Sequence, residues 1–177
     1  MENQRIRLSK SMLKGALLKL LKEKSLNQIS IYEICQTAQI NRTTFYKYYG
    51  SQTDLLQEIE TDFFSQLNED LKDIIDQAPN ALGQVLDHLY EQREIFCILV
   101  QATPTREFTD QLFSIPSIGS LFQSLMDTEN YSETQARYIR QFVFQGAFAV
   151  LCDWLSREDP EPASEIAEVM GQLKSRL

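Results

Sequence analysis

Apolar residues recur along the chain at the three- and four-residue spacing of helices, and no segment shows the strong alternation that is typical of strands. The first such pattern runs from Lys10 to Lys24 and places one apolar stripe among lysines. The stripe consists of Leu13, Ala16, Leu17, Leu20 and Leu21. The pattern predicts an all-α fold whose first helix is amphipathic and basic.

A short second helix is predicted after this one, with a tight turn behind it. Ser30 and Glu33 have the spacing of a capping box, which opens a helix that ends near Ala38. Only the residues Gln39–Asn41 separate it from the next predicted helix. This is the spacing of a helix-turn-helix.

The third predicted helix runs from Arg42 to about Tyr49. Asn41 can cap its start, and Gly50 is expected to end it. Ser51 with Asp54 three residues later then opens a long fourth helix.

Further helices are predicted along the rest of the chain, with breaks at Ala78–Asn80, where Asn80 can act as a cap, and at the proline-rich connector 159–162. Their predicted ranges are 52–76, 81–92, 94–101, 103–127 with an interruption at Pro116, 132–156 and 163–177. Together the patterns predict a three-helix domain over residues 1–50 and a larger helical bundle over residues 51–177.

Charge divides the chain at the same place. Residues 1–50 hold nine Lys or Arg against three Asp or Glu, a net charge of +6, whereas residues 51–177 hold eight against 22, a net charge of −14. The positive charge of residues 1–50, the basic head, favours a polyanionic partner at one end of the molecule. A basic helix that is only hydrated would give the same difference in charge.

The third predicted helix carries the chemistry that fits DNA. Phe45 and Tyr49 share one face and can pack on the preceding helix. The remaining surface is rich in hydrogen-bonding side chains, namely Arg42, Thr43, Thr44, Lys47 and Tyr48. Such a helix can enter a major groove and contact base edges. The alternative is a helical hairpin whose polar face is only hydrated.

Residues 13–56 resemble the DNA-binding domain of the TetR/AcrR family of regulators. The similarity lies in the segments 29–35 (Ile-Ser-Ile-Tyr-Glu-Ile-Cys), 38–41 (Ala-Gln-Ile-Asn) and 44–51 (Thr-Phe-Tyr-x-x-Tyr-x-Ser), with Gly15-Ala16 and Leu20-Leu21 before them and Leu55-Leu56 after them. The sequence Asn-Arg-Thr-Thr-Phe-Tyr of residues 41–46 is similar to that of a subgroup common in low-GC Gram-positive bacteria. This subgroup includes regulators of dihydroxyacetone kinase operons.

The resemblance implies roles for individual residues. Tyr46 matches the tyrosine with which the family contacts a backbone phosphate, Arg42 and Thr43 match positions that read sequence, and Thr44 and Tyr48 match positions that contact bases or phosphates. The full set of expected DNA contacts is Ser30, Arg42, Thr43, Thr44, Tyr46, Lys47, Tyr48 and Gln52.

Gln52 departs from the family pattern, which has a phosphate-binding lysine at this position. A glutamine can still donate a hydrogen bond to phosphate, and a helix N-terminus attracts anions. The resemblance therefore implies DNA binding with one cationic contact fewer.

The resemblance also implies the biology: a cytoplasmic homodimer that binds a palindromic operator, most often as a repressor, and that responds to a small-molecule effector. In an alternative interpretation residues 51–177, the body of the protein, bind a protein partner instead of a small ligand. No cofactor is expected in either case.

The effector is expected in the body, among aromatic side chains whose helices are interrupted at Pro104 and Pro116. The candidate lining residues are Tyr90, Phe96, Phe108, Phe113 and Phe122. Aromatic residues at helical spacing also form ordinary cores, so the sequence leaves both interpretations open.

The dimer interface is expected in residues 132–156 and 163–177, by resemblance to the family's four-helix interface. Gly146 and Ala147 would permit close approach of helices there. A core helix within one chain is the alternative.

The sequence contains few residues that could form a catalytic or a metal-binding site. His88 is the sole histidine of the chain, and with Glu91 three residues later it makes too small a group for a metal site. The three cysteines, Cys35, Cys97 and Cys152, lie far apart and include no Cys-x-x-Cys pair. No segment is expected to span a membrane.

Overall fold

A computed structural model describes residues 4–77, 81–125 and 131–174. The described residues form ten α-helices and one short 3₁₀ turn, Leu26–Gln28, and contain no strand, so the all-α prediction is confirmed. The helices are α1 (Gln4–Leu21), α2 (Ile31–Ala38), α3 (Arg42–Tyr48), α4 (Gln52–Gln77), α5 (Ala81–Glu91), α6 (Arg93–Ala102), α7 (Thr105–Ser114), α8 (Pro116–Leu125), α9 (Glu133–Ser156) and α10 (Ala163–Lys174). The predicted break at Ala78–Asn80 lies outside the described residues.

The chain divides into two compact units, and α4 contributes to both. The first unit comprises residues 1–63 and 98–102, and the second comprises 64–97 and 103–177. The first unit therefore extends past residue 50 into α4. The assignment of DNA binding to residues 1–50 and of effector binding and dimerisation to 51–177 stays a prediction.

The first unit is built around apolar side chains from four helices. α1 packs on α2, and α2 packs on α3. Fully buried side chains come from each of these helices and from the start of α4: Leu13, Leu17, Ile34, Phe45 and Leu55. Each such side chain stabilises the unit by about 1.5–3 kcal/mol relative to its exposed state. The apolar stripe predicted for α1 is thus the core side of that helix.

The second unit has an aromatic core. Phe96 and Phe108 are fully buried with their ring centroids 5.4 Å apart in an edge-to-face arrangement, and Phe148 lies 6.0 Å from Phe108. This geometry is one that aromatic pairs favour because the edge of one ring carries positive charge and the face of the other carries negative charge. Residues from α6, α7 and α9 are joined in this way.

Proline begins α8 rather than breaking it. α7 ends at Ser114 and Pro116 occupies the first position of α8, where a missing N–H is tolerated. The next residue, Ser117, donates from its backbone N–H and its hydroxyl to Asn68 Oδ1 of α4, at 3.3 and 3.1 Å. These bonds attach the start of α8 to the second half of α4.

The connector between α9 and α10 is attached to the core by one side chain. Trp154 is buried in α9 and its Nε1–H donates to the carbonyl oxygen of Glu161 at 2.8 Å. The indole donor is satisfied by a backbone acceptor, so burial of the ring carries no unpaired polar group.

Candidate nucleic-acid interface

The turn between α2 and α3 has a defined geometry. Gln39 ends α2 with φ 55°, in the left-handed region, and its N–H donates to carbonyl oxygens of the last turn of α2. Gly50, which was expected to end α3, does not share this conformation, because no described glycine has a positive φ. α3 ends at Tyr48, and Tyr49 follows in an extended conformation.

Asn41 positions the start of α3. Its Oδ1 accepts from the backbone N–H of Thr44 at 2.8 Å and from the Thr44 hydroxyl at 3.0 Å. The predicted N-cap is therefore confirmed. Because a hydroxyl has one proton, Thr44 cannot donate to a phosphate while this bond exists, and it offers a methyl group and an acceptor oxygen instead.

α3 separates a buried face from an exposed one. Phe45 is fully buried and Tyr49 is 4% exposed, whereas Arg42, Thr43 and Lys47 are exposed. The arrangement matches the predicted division of the helix. Polar side chains thus cover the face that would meet a DNA groove.

Tyr46 lies at the centre of the exposed face. Half of its surface is exposed (51%), and its ring packs edge-to-face on buried Phe45 with centroids 5.7 Å apart. The Arg42 guanidinium lies 6.0 Å from the Tyr46 ring centroid, and Lys47 Nζ lies 6.0 Å from that of half-buried Tyr48. Each of the two cations thus lies at the outer limit of cation–π contact with an aromatic ring of α3.

Ser30 begins α2 with a full capping box. Its hydroxyl accepts from the Glu33 N–H at 3.2 Å and donates to Glu33 Oε2 at 2.8 Å, and its own N–H donates to the same oxygen at 2.9 Å. Lys24 Nζ lies 2.5 Å from the other oxygen of Glu33. The Ser30 hydroxyl proton is therefore already engaged within the protein.

This network lowers the pKa of Glu33 to about 2, chiefly through the hydrogen bond from Lys24 and then through those from Ser30. Because the folded-state pKa lies below the ordinary value of 4.5, the stabilisation from Glu33 is complete above about pH 4.5 and is lost as pH falls toward 2. We expect Glu33→Gln to lower the melting temperature at pH 6, and the gap to close as pH approaches 2. Thermal melts across pH measure the gap, and a gap of constant size would contradict the assigned network.

Gln52 is half-buried at the first position of α4, two residues before Asp54. Asp54 accepts from the N–H of Gly50 at 2.9 Å and of Ser51 at 3.2 Å, and the Ser51 hydroxyl donates to it at 2.8 Å. The hydrogen bond from the Ser51 hydroxyl is the largest cause that lowers the pKa of Asp54. The start of α4 thus already holds an anion of the protein itself, which weakens the expected attraction of this helix end for phosphate.

The presence of glycine at position 50 has a steric explanation. A Cβ built there would lie 3.0 Å from Asp54 Oδ2, which is closer than side chains normally approach. The absence of a side chain lets the Gly50 N–H reach the carboxylate.

Carboxylates of the first unit face several of its basic residues. Lys14 Nζ lies 2.6 Å from Glu58 and 2.5 Å from Asp62, and Lys10 lies 3.3 Å from Glu58. Over residues 1–63 the nine Lys or Arg meet seven Asp or Glu, a net charge of +2 rather than the +6 of residues 1–50. The first twelve residues of α4, 52–63, therefore offset much of the charge of residues 1–50.

The interface contains one exposed aromatic that sequence patterns did not single out. Tyr32, in the first turn of α2, is 58% exposed and follows Ser30 by two residues. An isolated aromatic on the polar side of a short helix would have been the available signal.

The five aromatics expected around an effector do not meet at one place. Phe96 and Phe108 belong to the cluster with Phe148, whereas Phe113 and Phe122 pack with Phe144, which stacks on Phe113 at 4.4 Å between centroids. Tyr90 packs on Trp154 with centroids 5.7 Å apart. An effector pocket shared by all five stays a prediction.

A small cavity lies beside Phe113 and Phe122. It has a volume of about 30 Å³ and is lined by apolar side chains of α5, α7, α8, α9 and α10. Small-molecule pockets have volumes of roughly 300–1,000 Å³. A ligand could enter here only after these helices separate.

His88 lies between two carboxylates of the second unit. Its Nε2 is 3.3 Å from Asp70 Oδ2 and its Nδ1 is 3.9 Å from Glu91 Oε2. Within residues 4–77, 81–125 and 131–174, no three His, Cys, Asp or Glu residues are grouped so that they could hold a metal ion. None of the helices described there is long and apolar enough to cross a membrane.

Two protein-family profiles match the chain. One, described as the C-terminal region of transcriptional regulators, covers residues 76–175, which is more than half of the chain. The other, described as bacterial regulatory proteins of the tetR family, covers residues 15–59 and thus contains α2, the turn and α3. The chain belongs to the TetR family of transcriptional regulators. Members of the TetR family bind DNA and act as dimers.

Three relatives illustrate the similarity. The transcriptional activator DhaS of the dhaKLM operon in Lactococcus lactis is 43% identical over 51 residues, 28% of this chain and 27% of DhaS. The structure of a TetR regulator from Streptococcus agalactiae aligns with a TM-score of 0.77 and 20% identity over 97% of this chain and 96% of that one. FadR from Thermus thermophilus, a TetR family repressor in complex with lauroyl-CoA, aligns with a TM-score of 0.57 and 15% identity over 94% and 93% of the two chains.

The two structural neighbours show the fold alone at these identities. The chain spans less than half the length of the curated relatives that it matches, 45% and 27%. The TetR family and the fold are those of transcriptional regulators rather than of enzymes.

Proposed function

We propose that this TetR family protein is a sequence-specific DNA-binding regulator that acts in the cytoplasm as a homodimer on a palindromic operator. The observation that carries the proposal is the architecture of α3. Asn41 caps it, Phe45 anchors it in the core, and Arg42, Thr43 and Lys47 lie on its exposed face. A helix presented in this way can lie in the major groove with its N-terminal residues at base edges.

Each side chain of the set has a role that its chemistry supports. We assign Arg42 and Thr43 to base edges because they are exposed at the N-terminal turn of α3, and Lys47 to a phosphate because it is a flexible cation one turn later. Tyr46 would donate its hydroxyl to a phosphate. Tyr48 and Gln52, both half-buried, would bind at the edge of the same surface.

Ser30 and Thr44 have smaller proposed roles. Their hydroxyl protons bond Glu33 and Asn41, so the side chains would contribute mainly by placing the N-termini of α2 and α3 against the DNA backbone. Backbone N–H groups at helix starts are good phosphate donors.

The dimer would form through α9 and α10, within residues 132–156 and 163–177, of which the last three lie outside the described residues. Large apolar side chains are exposed on these helices: Tyr138 (59%), Phe142 (73%), Val150 (38%) and Val169 (50%). An exposed apolar surface of this kind is typical of an interface. On α9, residues 138, 142, 146 and 150 follow one another at four-residue spacing, so they share one face.

We propose repression as the outcome, by occupancy of the operator, and a small apolar molecule as the effector in the second unit. FadR, a protein of this fold in complex with lauroyl-CoA, supports an effector that carries an apolar chain. The ligand would have to bind an opened state of the core around Phe113 and Phe122 more tightly than the closed one, since equal affinity shifts no equilibrium.

One observation favours a second candidate, a protein partner in place of a small ligand. The cavity beside Phe113 and Phe122 has a volume of only about 30 Å³, far below the roughly 300 Å³ of the smallest ligand pockets, so the core as described is closed to a ligand. Co-purification of the full chain with an apolar compound would support the ligand, whereas a stoichiometric protein partner would support the alternative.

The test of DNA recognition is selection from a pool of random duplexes by the full chain. We expect an enriched palindrome whose half-sites lie about one helical turn apart. Arg42→Ala should reduce the discrimination between bases at one position of each half-site by about 1–3 kcal/mol, so the preferred base at that position should change.

Arg106→Ala is the matched control, because Arg106 is an almost fully exposed arginine of α7 (91%). It should leave the selected motif unchanged. A selection that enriches no motif, or an Arg42→Ala motif identical to that of the wild type, would overturn the proposal.

A further inference from the structure

Two cysteines to which the DNA-binding function gives no role lie on facing helices of the second unit. Cys97 belongs to α6 and Cys152 to α9; both are free thiols and both are half-buried. The two helices are in contact here, because Phe96 and Phe148 have their ring centroids 6.4 Å apart. The Cys97 thiol itself reaches α9, where it donates to the carbonyl oxygen of Leu155 at 3.8 Å.

Leu155 lies three residues after Cys152, so both residues occupy the same side of α9. Cys97 therefore approaches α9 on the side that carries Cys152. The electrostatics agree with this placement: burial raises the pKa of Cys152 to about 11, and the neighbouring Cys97 adds to the increase. Two half-buried thiols thus lie close enough for the charge on one to oppose ionisation of the other.

The two thiols are not equivalent. Burial raises the pKa of Cys97 as well, but the positive charge of Arg93, one turn earlier on α6, lowers it in part. The Arg93 guanidinium is restrained over the Tyr90 ring, 4.2 Å from its centroid. Cys97 is consequently the thiol with the cation beside it and the more readily ionised nucleophile.

We propose that Cys97 and Cys152 form an oxidisable dithiol that closes to an intrachain disulfide when Cys97 is oxidised by a hydroperoxide. The Cys97 thiolate attacks one oxygen of hydrogen peroxide; an S–O bond forms, the O–O bond breaks, and hydroxide leaves and takes up a proton as water. The Cys152 thiolate then attacks the Cys97 sulfur; the S–S bond forms, the S–O bond breaks, and the second hydroxide leaves as water. Overall, two thiols lose two protons and two electrons, and one peroxide is reduced to two waters.

The proposed disulfide lies at the residue of α6 where the second unit ends. α6 belongs to the second unit up to Cys97 and to the first unit from Ile98 onward. A disulfide would fasten α6 to α9 at that residue and close a long loop of chain, which restricts the unfolded state. Because both pKa values are raised, the reaction is slow at neutral pH and accelerates as pH rises.

The experiment exposes the full-length protein to hydrogen peroxide at pH 8, blocks remaining thiols with N-ethylmaleimide and maps the peptides by mass spectrometry. We expect one linked peptide that joins Cys97 to Cys152, a loss of about 2 Da per chain, and alkylated Cys35, which is buried in the first unit. Dithiothreitol should restore both thiols, and the rate should rise roughly tenfold between pH 7 and pH 8.

Serine variants test the order of the two steps. In Cys152→Ser, dimedone should trap a sulfenic acid on Cys97, whereas Cys97→Ser should give neither a linked peptide nor a dimedone adduct; Cys35→Ser should behave as the wild type. Circular dichroism melts of the reduced variants check that each still folds. A link between two chains, a link to Cys35, or oxidation of Cys97 beyond sulfenic acid without a disulfide would overturn the proposal. None of these readouts depends on DNA binding.

Discussion

Gly146→Glu is expected to convert the dimer to monomers and to abolish operator binding at the same time. A Cβ at Gly146 would meet no atom of its own chain within 4 Å, so a glutamate fits the isolated protomer. In the proposed interface the same carboxylate would be buried against the partner's α9 without a counter-ion. Such burial costs at least about 3 kcal/mol, which weakens association roughly a hundredfold or more.

Sedimentation velocity at micromolar concentration measures the effect. Gly15→Glu is the matched control, because Gly15 is also an exposed helical glycine with no atom within 4 Å of a built Cβ, but it lies on α1. It should remain dimeric. Phe142→Glu, which replaces a large apolar side chain that is 73% exposed, should dissociate the dimer as well. A dimeric Gly146→Glu variant would refute the assignment of α9 to the interface.

Tyr46→Ala is expected to weaken binding to the selected duplex about ten- to hundredfold without a loss of stability. A hydrogen bond from a hydroxyl to a charged phosphate contributes about 1.5–3 kcal/mol. The side chain is half-exposed, so its removal leaves little apolar surface uncovered in the free protein. Fluorescence anisotropy with a labelled duplex gives the affinity.

Tyr46→Phe separates the hydroxyl from the ring. It keeps the edge-to-face contact with Phe45 and the ring beside Arg42, so its melting temperature should equal that of the wild type. Because it lacks the hydroxyl, it should lose most of the affinity for the duplex. Tyr131→Phe, at an exposed tyrosine of the second unit, is the control and should bind as the wild type. Wild-type affinity in Tyr46→Phe would show that the hydroxyl makes no phosphate contact.

Local signals in the sequence were sufficient for the caps of α2 and α3, but not for the start of α1, which begins at Gln4 rather than at Lys10. The cap at Asn41 and the capping box at Ser30 are both present, because each depends on residues three positions apart in one segment. The left-handed residue of the turn was not predicted, since Gln39 carries no intrinsic preference for that conformation; it is imposed by the short connection between α2 and α3.

Properties that depend on distant residues were harder to predict. The charge of residues 1–50 overstated the basic character of the first unit, because Lys10 and Lys14 pair with Glu58 and Asp62, 48 residues away. The aromatic groups of the second unit show the same limit: helical spacing identifies Phe108 and Phe113 as apolar positions, but it does not determine which rings meet.

We propose that the exposed face of α3 contacts base pairs. A photo-cross-linking amino acid at Thr43 tests this contact, and the same amino acid at Gln84, an exposed position of α5, is the control. With the selected duplex, irradiation should link position 43 to a nucleotide within each half-site and should give no adduct from position 84. Cross-links from position 84, or none from position 43 while the protein remains bound, would contradict the claim.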